Sequence, residues 1–160
     1  MNIRCATIDD LDRVTEVEAL CFSELEAAPR ESMEGRLTAF PNHFWVLEVD
    51  GQIVSFVNGC VTDLEDLTDE MFADAFMHNE NGAWQMIFGV DTVPEYQRRG
   101  YAAAVLEHVI EEAKREGRKG LVLTCKEHML HYYAKFGFVN EGVSGSEHGG
   151  ALWYQMRITF

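Results

Sequence analysis

The chain has 160 residues, 47% hydrophobic and 25% charged, enough for one packed domain and too few for two ordinary ones. Thirteen Lys and Arg against 27 Asp and Glu leave a formal charge of −14, which repels phosphate backbones, argues against a nucleic-acid partner and favours a small amine or a basic peptide. No apolar run approaches the roughly 18 residues of a membrane span, and Cys5, Cys21, Cys60 and Cys125 show no metal-ligand spacing, so they read as free, mostly buried thiols of a cytoplasmic protein.

"NIRCAT" alternates as a strand, and "TIDDLDRVTEVEALCF" follows as a helix with Leu11, Val14, Val17 and Leu20 at helical spacing behind a Thr7–Asp10 capping box. A second helix is expected to start near Pro29 or Glu31 and to stop before Pro41. "HFWVLEVDGQIVSFVNGCV" predicts an antiparallel hairpin turning at Asp50-Gly51. Residues 63–82 form an acidic insertion with one helix over 68–76. "AWQMIFGVDTV" predicts a fourth strand, in which Gly89 marks a bulge or a close approach. A helix from Tyr101 that stops at Gly117, the strand "GLVLTC", the short helix "EHMLHYYAKF" and two closing strands complete the order. The result, β-α-α-β-β-(insert)-β-α-β-α-β-β, predicts a mixed α/β (α+β) sheet flanked by helices as a single domain over 1–160.

"PEYQRRGYAAAVL" carries the clearest chemical signal. A helix amino terminus presents unpaired N–H groups and a partial positive charge. Gly100 lets a ligand approach, Ala102 keeps the first turn narrow, and Arg98 and Arg99 add charge that makes sense in an acidic chain if they meet an anion. Alone, the pattern is also that of a helix start with exposed arginines. It is neither a Walker A loop nor a dinucleotide-binding fingerprint.

With "GVDTVPEYQRRGYA" followed by "HYYAKFGF", the chain resembles the GNAT superfamily of N-acetyltransferases from Met1 to Phe160. "EALCFSELEAA" and "GGALWYQMRI" resemble a bacterial branch related to arylalkylamine N-acetyltransferases. The resemblance implies a mostly antiparallel, seven-stranded sheet splayed at strands 4 and 5. It implies acetyl-CoA as cosubstrate, its pyrophosphate on the turn of Gln97, Arg98, Arg99, Gly100, Tyr101 and Ala102 with Ala103 next, and its pantetheine arm along Val90, Asp91 and Thr92. An amide near Val90 is then the oxyanion donor, and Tyr133, in Y-x-x-x-G-F, protonates the departing thiolate. Tyr132, one residue out of register, is assigned to packing, as are Phe136 and Phe138.

The sequence departs from its relatives where the strand histidines that deprotonate the amine belong, for Met86 and Phe88 stand there. Glu24 and Glu26 are alternative bases, although Ser23 with Glu26 also reads as a capping box. Phe22, Phe88, Trp84 and Trp153 read either as an aromatic acceptor wall or as core. His128 and His131 share a helix face, Cys125 offers an acyl-Cys route, and the acidic insertion is either a cation lure or a solvated face. Asp91 sets a charge, and Thr92 a hydroxyl, on a strand usually apolar in the family. The expected activity is direct acetyl transfer to a small amine, without metal, by a monomer or homodimer that engages neither nucleic acid nor membrane. A peptide amino terminus as acceptor and a non-catalytic acyl-CoA-binding module are the alternatives.

Overall fold

A computed structural model describes residues 1–160. Strand β1 (Asn2–Cys5) leads through a 3-10 turn into α1 (Leu11–Cys21), and α2 (Arg30–Ala39) precedes β2 (Phe44–Val49) and β3 (Gln52–Asn58). The insertion holds β4 (Val61–Thr62) and α3 (Asp69–Ala73). Then come β5 (Trp84–Ile87), β6 (Gly89–Thr92), α4 (Tyr101–Arg115), β7 (Gly120–Cys125), α5 (Leu130–Ala134), β8 (Val139–Val143) and β9 (Tyr154–Thr159).

The helix-flanked, mostly antiparallel architecture expected from the resemblance is present, with nine strands in two sheets instead of seven in one. The expected fourth strand breaks at Phe88. Its first half, β5, pairs parallel with β7, and its second half, β6, pairs antiparallel with β3. The sheets, β1-β2-β3-β6 and β4-β5-β7-β9-β8, therefore part along β6, whose outer edge is open.

Alternation along β2 and β3, shifted by one residue in β3 at the bulge opposite Leu47 and Glu48, sorts side chains between two helical layers. Trp45, Leu47, Val54 and Val57 pack with Val105, Leu106 and Val109 of α4. Phe44, Val46 and Phe56 pack with Val14 and Val17 of α1 and with Met33 and Leu37 of α2. Asp91 pairs with Phe56 and so faces α1 and α2, whereas Val90 pairs with Val57 and faces α4.

Asp50 (φ 52°) and Gly51 (φ 78°) make the expected hairpin turn, and Gly117 (φ 78°) ends α4. The Thr7–Asp10 capping box is present, but it caps the 3-10 turn ahead of α1. Leu20 is exposed, because α1 buries its stripe through Leu11, Val14, Val17 and Glu18 and turns position 20 to solvent. The insertion's helix covers Asp69–Ala73 only, with a 3-10 turn over Ala75–Met77. All four cysteines are free; Cys60 and Cys125 are buried, Cys21 half-buried, and Cys5 exposed.

Candidate acyl-CoA and acceptor site

The turn before α4 has the backbone of an anion cradle. Arg98 (φ 64°) and Gly100 (φ 81°) are both left-handed, and the first intrahelical bond runs from Ala104 N–H to Gly100 C=O (3.0 Å). The amides of Tyr101, Ala102 and Ala103 thus form the open amino-terminal turn of a 15-residue helix. Arg98 and Arg99 are exposed, the Arg99 guanidinium lying 5.1 Å from the Tyr96 ring centroid. Gln97 turns its amide back to the Thr92 carbonyl (3.2 Å), tying the turn to β6.

Val93 N–H donates to Val54 C=O (2.9 Å), which sets the phase of the β3–β6 ladder. Two-residue alternation then points the main-chain groups of Asp91 toward β3 and those of Val90 and Thr92 toward the open edge. The Thr92 carbonyl already accepts from Gln97 and from the Cys21 thiol (3.2 Å). Val90 is the residue of this strand best placed to offer its amide to a ligand.

Tyr133 is buried at 8% exposure, with the Tyr132 ring at 5.1 Å and the Phe138 ring at 6.0 Å. Burial pushes its phenol well above the ordinary range, and nearby Tyr132, Cys125 and Asp91 push in the same direction. The phenol therefore keeps its proton at every physiological pH. Tyr132 packs against Phe136 (5.3 Å), Phe138 is buried in the same cluster, and His128 and His131 are both exposed. Burial raises the Cys125 thiol to about 11, so it is a thiol rather than a nucleophilic thiolate at neutral pH.

On the α1 and α2 side, Phe88 is half-buried against Phe72 (4.7 Å), and Phe72 stacks on His148 (5.7 Å), which meets Trp153 (5.9 Å). Trp84 and Met86 belong to the core. Phe22, half-buried, ends α1, and Glu24 is exposed. The Ser23–Glu26 capping box does not form: Glu26 N–H bonds the Ser23 carbonyl (3.0 Å) in a turn, while the Glu26 carboxylate takes a 2.8 Å bond from Lys126. No helix begins at this point, since α2 starts only at Arg30, so there is no helix entry for the box to cap.

Sequence reasoning missed a buried polar cluster between α1, α2 and β6. Asp91 and Asn58 are fully buried, Arg36 is 2% exposed and Glu18 6%. Glu18 accepts from Ala28 N–H (2.8 Å), and Arg36 donates to Asn58 Oδ1 (3.1 Å) and to the Phe72 carbonyl (3.0 Å) while lying 4.7 Å from the Phe88 ring centroid. Burial lowers the guanidinium to about 10, against the pull of Glu18 and Asp91. Burial, then the charge of Glu18, holds the Asp91 carboxyl well above the usual range. A signal existed: Glu18 and Arg36 occupy apolar-stripe positions of their helices, and Asp91 interrupts an apolar strand.

A second cluster joins His43, His78 and Glu80, whose ligand-type atoms lie within 4.8 Å of one another. Both imidazoles reach Glu80 through Nε2 at 2.9 Å. His78 Nδ1 accepts from Val61 N–H (3.0 Å), which leaves the hydrogen on Nε2 and suits that nitrogen to the carboxylate rather than to a metal. Burial would raise Glu80, but bonds from His43, His78 and Asn42 outweigh it and hold the carboxylate at about 2.

Residues 11–138 match the model of the Acetyltransferase (GNAT) family. The curated "Probable hydrolase YhcX" of Bacillus subtilis (strain 168) is 22% identical over 142 residues, covering 84% of this chain and 28% of that protein. The chain thus spans little more than a quarter of the length of that relative. The fold is shared with the GphF GNAT-like decarboxylase in complex with isobutyryl-CoA (TM-score 0.85, 19% identity, 99% of each chain covered). It is also shared with the ribosomal-protein-S18-alanine N-acetyltransferase from Escherichia coli (TM-score 0.74, 16% identity, 99% of this chain and 92% of that one).

Proposed function

The chain belongs to the acetyltransferase (GNAT) family, and from that premise we propose that it transfers an acetyl group from acetyl-CoA to the primary amine of a small, arylalkylamine-like substrate. The observation that carries this reading is the continuity of the open β6 edge with the cradle at the start of α4. A phosphate bound by the amides of Tyr101, Ala102 and Ala103 and flanked by Arg98 and Arg99 sends a pantetheine arm along Val90 and Thr92. The thioester carbonyl then takes a hydrogen bond from the Val90 amide, which stabilises the tetrahedral oxyanion. The amine forms the C–N bond, the C–S bond breaks, and the thiolate takes a proton from Tyr133. Because burial keeps that phenol protonated, the donor form is always present.

Two features support a small aromatic amine over a peptide amino terminus. The half-buried rings of Phe72, Phe88, His148 and Trp153 make a contiguous wall. His148 Nε2 donates to the Glu26 carbonyl (2.7 Å), so two loops meet across the acceptor side where a peptide needs an open groove. Release of coenzyme A from acetyl-CoA, followed with arylalkylamines, polyamines, amino acids and short peptides, tests the reading. Turnover with arylalkylamines establishes it. Turnover with peptides alone replaces the acceptor, and tight acetyl-CoA binding without turnover on any amine points to a binding module.

A further inference from the structure

The amine must lose a proton, and neither strand position that carries a base in the resembling enzymes has one here, since Met86 is fully buried and apolar and Phe88 is a phenyl ring. The buried cluster at Asp91 supplies the missing chemistry. We propose that Asp91, paired with Glu18, is the proton acceptor for the amine, a reading that rests on the acetyltransferase function proposed above.

The geometry has three parts. Asp91 follows Val90, so its carboxyl lies one residue from the main-chain edge assigned to the thioester, on the α1 and α2 side where the amine must arrive. With both acids ionised, five of the eight enclosed side-chain atoms without a hydrogen-bond partner fall in this one cluster: both Asp91 oxygens, Glu18 Oε1, Asn58 Nδ2 and Arg36 Nε; a proton held between Asp91 and Glu18 joins the two acids. Native interiors rarely tolerate such atoms without a functional reason. Finally, Gly89 thins the wall at this place. A Cβ there would lie 2.9 Å from Asp91 Oδ1, 3.7 Å from Asn58 Nδ2 and 3.8 Å from Glu18 Oε1, so the half-buried glycine is the thinnest cover over a carboxyl that is itself fully buried, and any side chain there would press on it.

Burial raises the basicity of Asp91 most, and the groups facing it adjust that. Glu18 from α1 opposes its ionisation, Arg36 from α2 favours it, and the neighbouring Cys21, Cys60 and Tyr133 are protonated at neutral pH. A carboxylate whose proton affinity is raised is, when ionised, a stronger base than an ordinary one. In the step, the amine nitrogen forms its bond to the acetyl carbon, and its proton passes to Asp91 at the Gly89 notch, which must widen on substrate binding because both carboxyl oxygens are enclosed. Tyr133 gives its proton to the thiolate, and both groups return to their starting state by exchange with water. Activity therefore falls as pH drops through the Asp91 titration.

The test pairs two readouts on the full chain. The carboxylic-acid C=O stretch, recorded by infrared difference spectroscopy in D2O across pH, reports the proton on the pair without any turnover. The pH profile of kcat/KM, with acetyl-CoA and the best amine of the panel, reports the base. The wild type is expected to show one acid band that disappears with rising pH along the same curve on which the rate appears. Asp91→Asn, which resembles the protonated side chain in shape, is expected to remove band and limb together and to lower kcat/KM at least about a hundredfold, with coenzyme A affinity kept. Glu18→Gln, by removing the like charge, is expected to move both midpoints to lower pH. A band that titrates in the ordinary carboxylate range, or a limb that survives in Asp91→Asn, overturns the assignment while the acetyltransferase reading stands. A wild type that turns over no amine overturns the reading itself, and the assignment with it.

Discussion

Lys126, which follows the last residue of β7, holds Glu26 of the α1–α2 loop through a 2.8 Å ion pair across 100 residues of sequence. The same ammonium lies 5.7 Å from the Trp153 ring centroid, so three loops converge on one contact. Both partners keep some exposure, and such a pair is worth at most about 1 kcal/mol. Its proposed weight lies in closing the acceptor side. Lys126→Met is expected to raise KM for the amine severalfold while coenzyme A affinity stays unchanged. Steady-state kinetics with each substrate varied would show it, and an unchanged amine KM would separate the pair from substrate binding.

Tyr133→Phe removes the proposed proton donor and leaves the packing with Tyr132 and Phe138 intact. Turnover is expected to fall about a hundredfold, the usual scale for loss of a general acid, with acetyl-CoA affinity within a factor of two or three. Equal losses in both would assign Tyr133 to binding.

Gly100 sits at φ 81° with nothing within 4 Å of the position its Cβ would take. A side chain there meets a conformational penalty rather than a clash, about 1 kcal/mol for a left-handed residue. Gly100→Ala is expected to weaken coenzyme A binding severalfold with a modest loss of stability, read by calorimetry and thermal unfolding. Retained affinity would show that the cradle does not carry the pyrophosphate.

Arg36 is the one guanidinium set against the Glu18–Asp91 pair. Removing one partner of a buried charge cluster costs about 3–5 kcal/mol, so Arg36→Met is expected to be severely destabilised. Asp91→Asn should recover part of that loss in the double variant, because it removes a charge the cation was compensating. Chemical denaturation of the two single variants and the double variant measures the coupling. Additive effects of the two substitutions would mean that Arg36 acts on packing alone.

The two clusters respond to pH in opposite senses. Asp91 is raised on folding, so between 3.8 and its folded value the native state binds the extra proton and stability falls as pH rises. Glu80 is lowered from 4.5 to about 2, so its contribution is present above 4.5 and is lost as pH falls toward 2. Asp91→Asn is therefore expected to stabilise the protein more at pH 8 than at pH 4. Glu80→Gln is expected to cost stability at pH 7 and to cost less near pH 2. Denaturant midpoints across pH check both, and a pH-independent effect in either variant would contradict its assignment.

The helices, the Asp50-Gly51 hairpin, the acidic insertion and the cradle before α4 are legible in the sequence because each rests on short-range rules. Apolar periodicity, turn residues that tolerate positive φ, and the open amides of a helix start are all contained in a few neighbouring residues. The break at Phe88 is not legible in that way. "AWQMIFGVDTV" reads as one strand, and what divides it is the competition of β7 and β3 for the two halves, a choice made by partners far along the chain. The Ser23–Glu26 box is the same lesson at smaller scale, since the chain turns there without starting a helix and the Glu26 carboxylate pairs with the distant Lys126 instead.

What the sequence by itself determined is the run of helices, the hairpin and the placement of the left-handed turn that opens α4, all consequences of local conformational preference. Tertiary structure alone decided which charges are buried together. Glu18, Arg36 and Asp91 lie on three elements and are separated by 18 to 73 positions, and each in isolation is an ordinary charged residue. Only packing α1 and α2 over β6 removes them from water, and it is that desolvation, not the residue types, that shifts the Asp91 carboxyl and gives the cluster its chemistry.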